Sequence, residues 1–265
     1  MGDQSPLERG VLLLDKPEEL TSMQCVEKAK AMLRARKAGH SGTLDPKVTG
    51  LMLIAFNEAT KAMPVLIGMD KRYEGYMRLH GAFTKDQLAR AARSFTGRIT
   101  QTPPKRSAVV RRPREREVLS FEILSASGRD VRFSTTCEAG TYVRKLCHDI
   151  GESLGTGAHM VSLRRVGIGP FSIEEAVTME QLRSRGDSCL IPLESALERT
   201  GLPMLSVPGS SLEKLRNGVP LELKELTNPP RRLPEGLFGL LDPQGSLIAL
   251  AREEDGKAHP ERVLN

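Results

Sequence analysis

The chain has 265 residues and a formal net charge of +6, enough length for one large domain, a small one and a sizeable core. Cys25, Cys137, Cys147 and Cys189 form no CxxC pair and no metal-ligand spacing with histidine. That argues against a disulfide framework or a metal site and suits a reducing compartment. With no apolar leader and no run of eighteen apolar residues, a soluble cytoplasmic protein without membrane contact is expected.

In chain order, the apolar run at residues 11–14 predicts a buried strand. Met23, Val26, Ala29 and Leu33 then share one face of a helix that Thr21 or Ser22 can cap. It runs out through Arg36-Lys37-Ala38-Gly39 into His40-Ser41-Gly42-Thr43-Leu44-Asp45-Pro46. Gly39 and Gly42 permit a sharp turn and leave room for a large ligand. Pro46 biases Asp45 toward turn or extended backbone. One carboxylate thus stands among glycines and small hydroxyls with basic residues upstream, although an ordinary Asx turn would look the same.

Residues 57–67 read as a helix despite Pro64, and residues 73–79 alternate, with Tyr73, Gly75, Met77 and Leu79 on one face. Thr84-Lys85-Asp86-Gln87 is a capping-box signature for a helix carrying Leu88, Ala91, Ala92 and Phe95 inward, closed by Gly97. Residues 105–116 (KRSAVVRRPRER) hold six basic residues and one acid, as a solvated loop or a phosphate-gripping arm would. Leu119, Phe121 and Ile123, then Val131, Phe133, Thr135 and Cys137, alternate as two strands of a hairpin turning at residues 127–130. Val143, Leu146, Cys147, Ile150 and Leu154 form a helical stripe ended by Gly155, with Arg144 at its border.

Breaks at residues 183–187 and 201–203 place a boundary near 180–205. Beyond it, residues 211–217 suggest a short helix ended by Gly218, and residues 237–241 and 247–251 flank the turn Asp242-Pro243-Gln244-Gly245. Strands and helices intermix without a βαβ rhythm. The expectation is an α+β fold on a mixed, mostly antiparallel sheet, residues 1–190, followed by a small β-rich domain, residues 191–265. The latter carries nine Lys/Arg against eleven Asp/Glu, so the positive surplus lies in the first part.

Four ordered blocks resemble the TruB/dyskerin family of RNA pseudouridine synthases. Residues 39–50 (GHSGTLDPKVTG) are similar to its catalytic-aspartate motif and residues 10–17 (GVLLLDKP) to its opening strand and Lys-Pro motif. Lys71-Arg72-Tyr73 is similar to the segment with the active-site tyrosine, and residues 137–165 to its arginine motif and the segment after it. The resemblance implies a pseudouridine-synthase catalytic domain in which Asp45 is catalytic, Tyr73 stacks on the base and Arg144 keeps the carboxylate ionised. It implies contacts from Tyr142 and Leu163 to the flipped nucleotide, and from His40 to the RNA around it. Lys16 and Pro17 would brace the pocket floor.

Pseudouridine formation breaks the N-glycosidic bond, turns the uracil and rejoins it through C5. No electron is exchanged and no group is lost, so neither cofactor nor metal is expected. Whether Asp45 attacks the base, attacks the sugar or removes a sugar proton stays open. The last 75 residues resemble a reduced PUA domain; a plain stabilising β-subdomain fits them as well.

Two subfamilies share such a site. The TruB type acts alone on the T-loop uridine of tRNA, and the dyskerin type works with guide RNA and partner proteins. Residues 101–117 lack room for the long thumb of the first type and resemble the second, as do Leu79-His80-Gly81 and Cys137-Glu138-Ala139-Gly140. The short C-terminal part and the near absence of an N-terminal extension resemble the first. Glu18-Glu19 replaces the glycine-containing turn usual after Lys-Pro. An archaeal-like enzyme acting on tRNA is the resulting expectation. The alternatives are guided action on rRNA with guide RNA and H/ACA-type protein partners, or an RNA-binding scaffold.

Overall fold

A computed structural model describes residues 9–103, 110 and 112–264. Of the basic run, residues 105–109 and Arg111 lie outside the described residues. Ten strands form one sheet: β1 (Gly10–Lys16), β2 (Ala38–His40), β3 (Thr49–Phe56), β4 (Lys71–Leu79), β5 (Gly97–Gln101), β6 (Arg114–Ser127), β7 (Asp130–Cys137), β8 (Ala158–Ile168), β9 (Phe171–Ser172) and β10 (Leu190–Pro192). Their order is β10-β1-β3-β8-β4-β7-β6-β5, with β2 beside β3 and β9 beside β8. The β3–β8 contact is parallel and the other pairings of this sheet are antiparallel. The α+β expectation, with a mixed and mostly antiparallel sheet, therefore holds.

The two ends of this sheet are buried differently. β1 and β3 are apolar on both faces because each face meets its own core. Val11, Leu13, Leu51, Leu53 and Ala55 pack one way, while Leu12, Leu14, Met52, Ile54 and Phe56 pack the other, against α1 (Ser22–Leu33). From β4 to β6 the strands alternate, and only one face carries the core, under α3 (Lys85–Ser94) and α4 (Val143–Ser153). A five-stranded sheet completes the chain: β11 (Met204–Ser206), β12 (Leu221–Glu222), β13 (Leu237–Leu241), β14 (Leu247–Glu254) and β15 (Lys257–Val263), in the order β11-β13-β14-β15-β12. Leu247, Leu250 and Leu264 join the first core of β1 and β3, so the two sheets share buried apolar surface.

Local signals set most of these elements. Thr21 caps α1 through a capping box with Gln24, and Thr84 caps α3 through one with Gln87. Four details differ from the sequence expectation. Met23 is exposed, because the inward face of α1 is Ser22, Cys25, Val26, Ala29 and Leu33. Residues 57–67 split into a 3₁₀ turn (Asn57–Ala62) and α2 (Met63–Gly68), with Pro64 in the first turn of α2, where its missing N–H costs nothing. Gly97 opens β5 at φ 96° rather than closing α3, which ends at Ser94. Leu119 is 47% exposed because a bulge between Val118 and Ser120 turns it outward.

Candidate active site

The segment between β2 and β3 is held from several sides. The Leu44 N–H donates to Ser22 Oγ at 2.8 Å, and that hydroxyl donates to the Leu44 carbonyl at 3.1 Å. The Ser41 N–H reaches the Leu53 carbonyl at 3.0 Å, and the Val48 N–H reaches the Asp45 carbonyl at 2.9 Å. Lys16, fully buried, donates from Nζ to the carbonyls of Pro17, Leu20 and Pro46 at 2.7, 2.7 and 3.0 Å. It thereby ties the opening strand to the residue after Asp45. Glu19, one of the two residues that replace the glycine-containing turn usual after Lys-Pro, takes φ 76°, a backbone conformation glycine adopts more freely.

Asp45 faces Arg144, which stands in the first turn of α4 and donates from Nη2 to Asp45 Oδ2. The Arg144 and Asp45 side chains are 38% and 45% exposed, so the pair adds at most about 1 kcal/mol to stability. Its consequence is orientation of the carboxylate. The residue before α4 is fixed as well: the Tyr142 N–H donates to Gln101 Oε1 at 3.0 Å, and Gln101 Nε2 donates to the Tyr142 carbonyl at 3.3 Å.

Beneath the pair lies a cavity of about 430 Å³, within the range of small-molecule sites. Asp45, Tyr73, Tyr142, Arg144 and Leu163 all line it, together with Val48, Ile67 and Met160. Tyr73, 9% exposed, stands opposite Arg165 in the β4–β8 register. Burial pushes its phenol above the ordinary value, while the neighbouring Arg165 charge and a hydrogen bond from Arg165 act against that rise.

Two lining residues to which the sequence reading assigned no role prove central. Arg165 is 1% exposed and donates to the Leu51 carbonyl at 2.6 Å and the Gly42 carbonyl at 3.1 Å. It thereby ties the Asp45 segment to β3 and stands beside Tyr73 in the β4–β8 register. The basic doublet at the end of residues 137–165 was its only sequence signal. Lys71 is also buried, with Nζ on the carbonyls of Ile67 at 2.6 Å and Met69 at 2.5 Å; burial, aided by Arg165, brings it down to about 8.

His40 is not brought into the lining. Half-buried at the end of β2, its Nδ1 accepts the Gly42 N–H at 3.2 Å. Burial and Arg165 lower its pKa, which favours the neutral ring that this acceptor role needs. Lys145 pairs outward with Asp149, and Arg164 forms a two-pronged pair with Asp15 at 2.7 and 3.0 Å.

Comparisons with known proteins agree on one family. The family described as TruB family pseudouridylate synthase (N terminal domain) matches residues 30–143, and tRNA pseudouridylate synthase B C-terminal domain matches residues 144–198. A protein of Methanopyrus kandleri named probable tRNA pseudouridine synthase B is 38% identical over 94% of this chain and 78% of its own. The tRNA pseudouridine synthase B of Burkholderia mallei is 36% identical over 96% of each. Among solved structures, a Cbf5-Nop10-Gar1 complex contains a chain matching at TM-score 0.85 and 34% identity, over 98% of this chain and 86% of that one. An H/ACA RNP bound to a substrate RNA containing 2'-deoxyuridine contains another, at TM-score 0.83 and 32% identity, over 100% and 88%.

Proposed function

The chain belongs to the TruB family of pseudouridylate synthases, and on that premise we propose that it isomerises the T-loop uridine of tRNA to pseudouridine. One observation carries the reading: the Arg144–Asp45 pair stands in the wall of a cavity also walled by Tyr73, Tyr142 and Leu163. Extruding a base from its stack costs a few kcal/mol, and the cavity offers a mixed apolar and aromatic surface to receive it. Asp45 acts on the target nucleotide, as nucleophile or as base. Arg144 orients its carboxylate, and the neutral phenol of Tyr73 lies against the uracil. Leu163 and Tyr142 confine the freed base, and His40 shapes the segment that carries Asp45. The working compartment is the cytoplasm. Residues 1–190 form the catalytic unit, and residues 191–265 a PUA-like unit packed against it.

The test is a pseudouridine assay of the purified chain alone on unmodified tRNA transcripts. Conversion of the T-loop uridine, abolished in Asp45→Asn, supports a stand-alone tRNA enzyme. A second reading rests on the likeness to chains from H/ACA assemblies over almost the whole length. In it the chain modifies rRNA with guide RNA and protein partners. RNA binding without conversion by the chain alone, followed by conversion once a guide RNA and those partners are added, would favour it. RNA binding with no conversion under either condition would leave a scaffold.

A further inference from the structure

Apolar side chains exposed singly on a protein surface carry no message of their own. Ile67 differs, because it lines the main cavity. Leu44, Val48, Val143 and Leu163 of the same lining are buried, whereas Ile67 is 46% exposed. It therefore stands at the rim of the cavity and not on its floor.

The local fold holds that side chain in place. Met63 and Leu66 bury the inner face of α2 in a core shared with β1 and β3. Ile67 follows Leu66, and the helix step of roughly 100° turns it outward. The buried Lys71 ammonium donates to the Ile67 carbonyl at 2.6 Å and the Met69 carbonyl at 2.5 Å. The Gly169 N–H donates to the Asp70 carbonyl at 2.9 Å. Met69 lies so close to Gly169 that a Cβ there would fall 2.5 Å from its Sδ. Burial and the nearby Arg165 charge both disfavour an ammonium at Lys71. A buried cation can often be exchanged for an apolar side chain without loss of stability, so placement of this turn accounts for Lys71 better than stability does.

Extruding a uridine from its stack uncovers a face of the base beside it in the strand. Protein side chains cover such faces without reading the base edge. With the uracil inside the cavity, the adjoining base lies at the rim, where Ile67 offers apolar surface. We propose that Ile67 is a platform for the nucleobase adjoining the extruded uridine, and that Lys71 is the residue that positions it. This deepens, and rests on, the RNA-modifying reading above. The contact needs a base at that place in the strand but tolerates any of the four.

The test measures equilibrium binding of a T-loop stem-loop RNA, intact or with an abasic nucleotide on one side of the uridine or the other. The proteins are wild type, Ile67→Ala, Lys71→Met and the double variant, with thermal melting as the folding check. On intact RNA, Ile67→Ala should weaken binding about three- to tenfold. On one of the two abasic RNAs the same substitution should cost nothing. Lys71→Met should show the same dependence on that base, and should add nothing to Ile67→Ala. An Ile67→Ala loss of equal size on all three RNAs would overturn the platform, as would no loss on any. Losses that add in the double variant would overturn the positioning role of Lys71. Uridine conversion is followed in the same samples. The expected coupling without conversion would sink the isomerase reading and leave the platform standing, whereas conversion without coupling would do the reverse.

Discussion

The two halves of the large sheet do opposite work. β1 and β3 are apolar on both faces and hold the Asp45 segment through Lys16 and Leu53, helped by Ser22 of the packed helix α1. The half from β4 to β6 has one wet face, and contributes Tyr73 and, through α4, Arg144. The halves meet at the short parallel contact of Thr49 with Arg164 and Gly50 with Arg165. Gly50, at φ 107°, is what allows it, since a Cβ there would fall 2.2 Å from the Arg165 carbonyl oxygen. The cavity lies at this seam. A carboxylate anchored in the doubly buried half is thereby set against side chains of the amphipathic half, so the site depends on register across the seam.

The largest expected effect isolates the chemistry. Asp45→Asn should lower turnover by roughly 10³-fold or more while RNA binding stays within about twofold; steady-state kinetics beside a binding titration would show it. If the carboxylate were only a seam contact, both would change together. Next comes the contrast in burial. Leu53→Ala, in the doubly buried half, should cost about 2–5 kcal/mol in urea unfolding. Leu124→Ala, exposed on β6, should stay within about 0.5 kcal/mol. Equal costs would erase the distinction between the halves.

Arg165→Lys probes the seam itself. An ammonium cannot place donors at both positions from which Nε and Nη2 now meet the Leu51 and Gly42 carbonyls, so kcat should fall about 10- to 100-fold through misplacement of the Asp45 segment. KM should change little. A drop confined to KM would make Arg165 a binding group only.

A further contrast concerns Lys71. The folded chain releases its proton near 8 against an ordinary value of 10.5. Between those values the unfolded chain binds more protons, so stability rises with pH, by about 3 kcal/mol at most over that window. Lys71→Met should remove that rise relative to wild type, as urea melts at pH 8 and 10 would reveal. An unchanged difference would mean the ammonium is solvated in the fold.

Much of the site was legible as local pattern. Asp45, Tyr73, Tyr142, Arg144 and Leu163 belong to short motifs, and the fold brings all five to one cavity. His40 sits in the same motif yet turns its ring back to the Gly42 amide. Spacing could not show that one ring nitrogen accepts from its own loop, outside the lining of the cavity. Leu119 shows the same limit in a strand: alternation gives two faces, but the bulge after Val118 reverses which is inside.

The sequence by itself determined the mix of strands and helices, the capped starts of α1 and α3, the buried strand at residues 11–14 and the family. Those properties depend on side-chain pattern over a few residues and on motifs read whole. Only the tertiary structure decided that Arg165 would be buried between Gly42, Leu51 and Tyr73. Burial of a charge depends on which distant carbonyls surround it. Those partners lie more than a hundred residues away along the chain for Arg165, and they are chosen by strand order and register, not by neighbours in sequence.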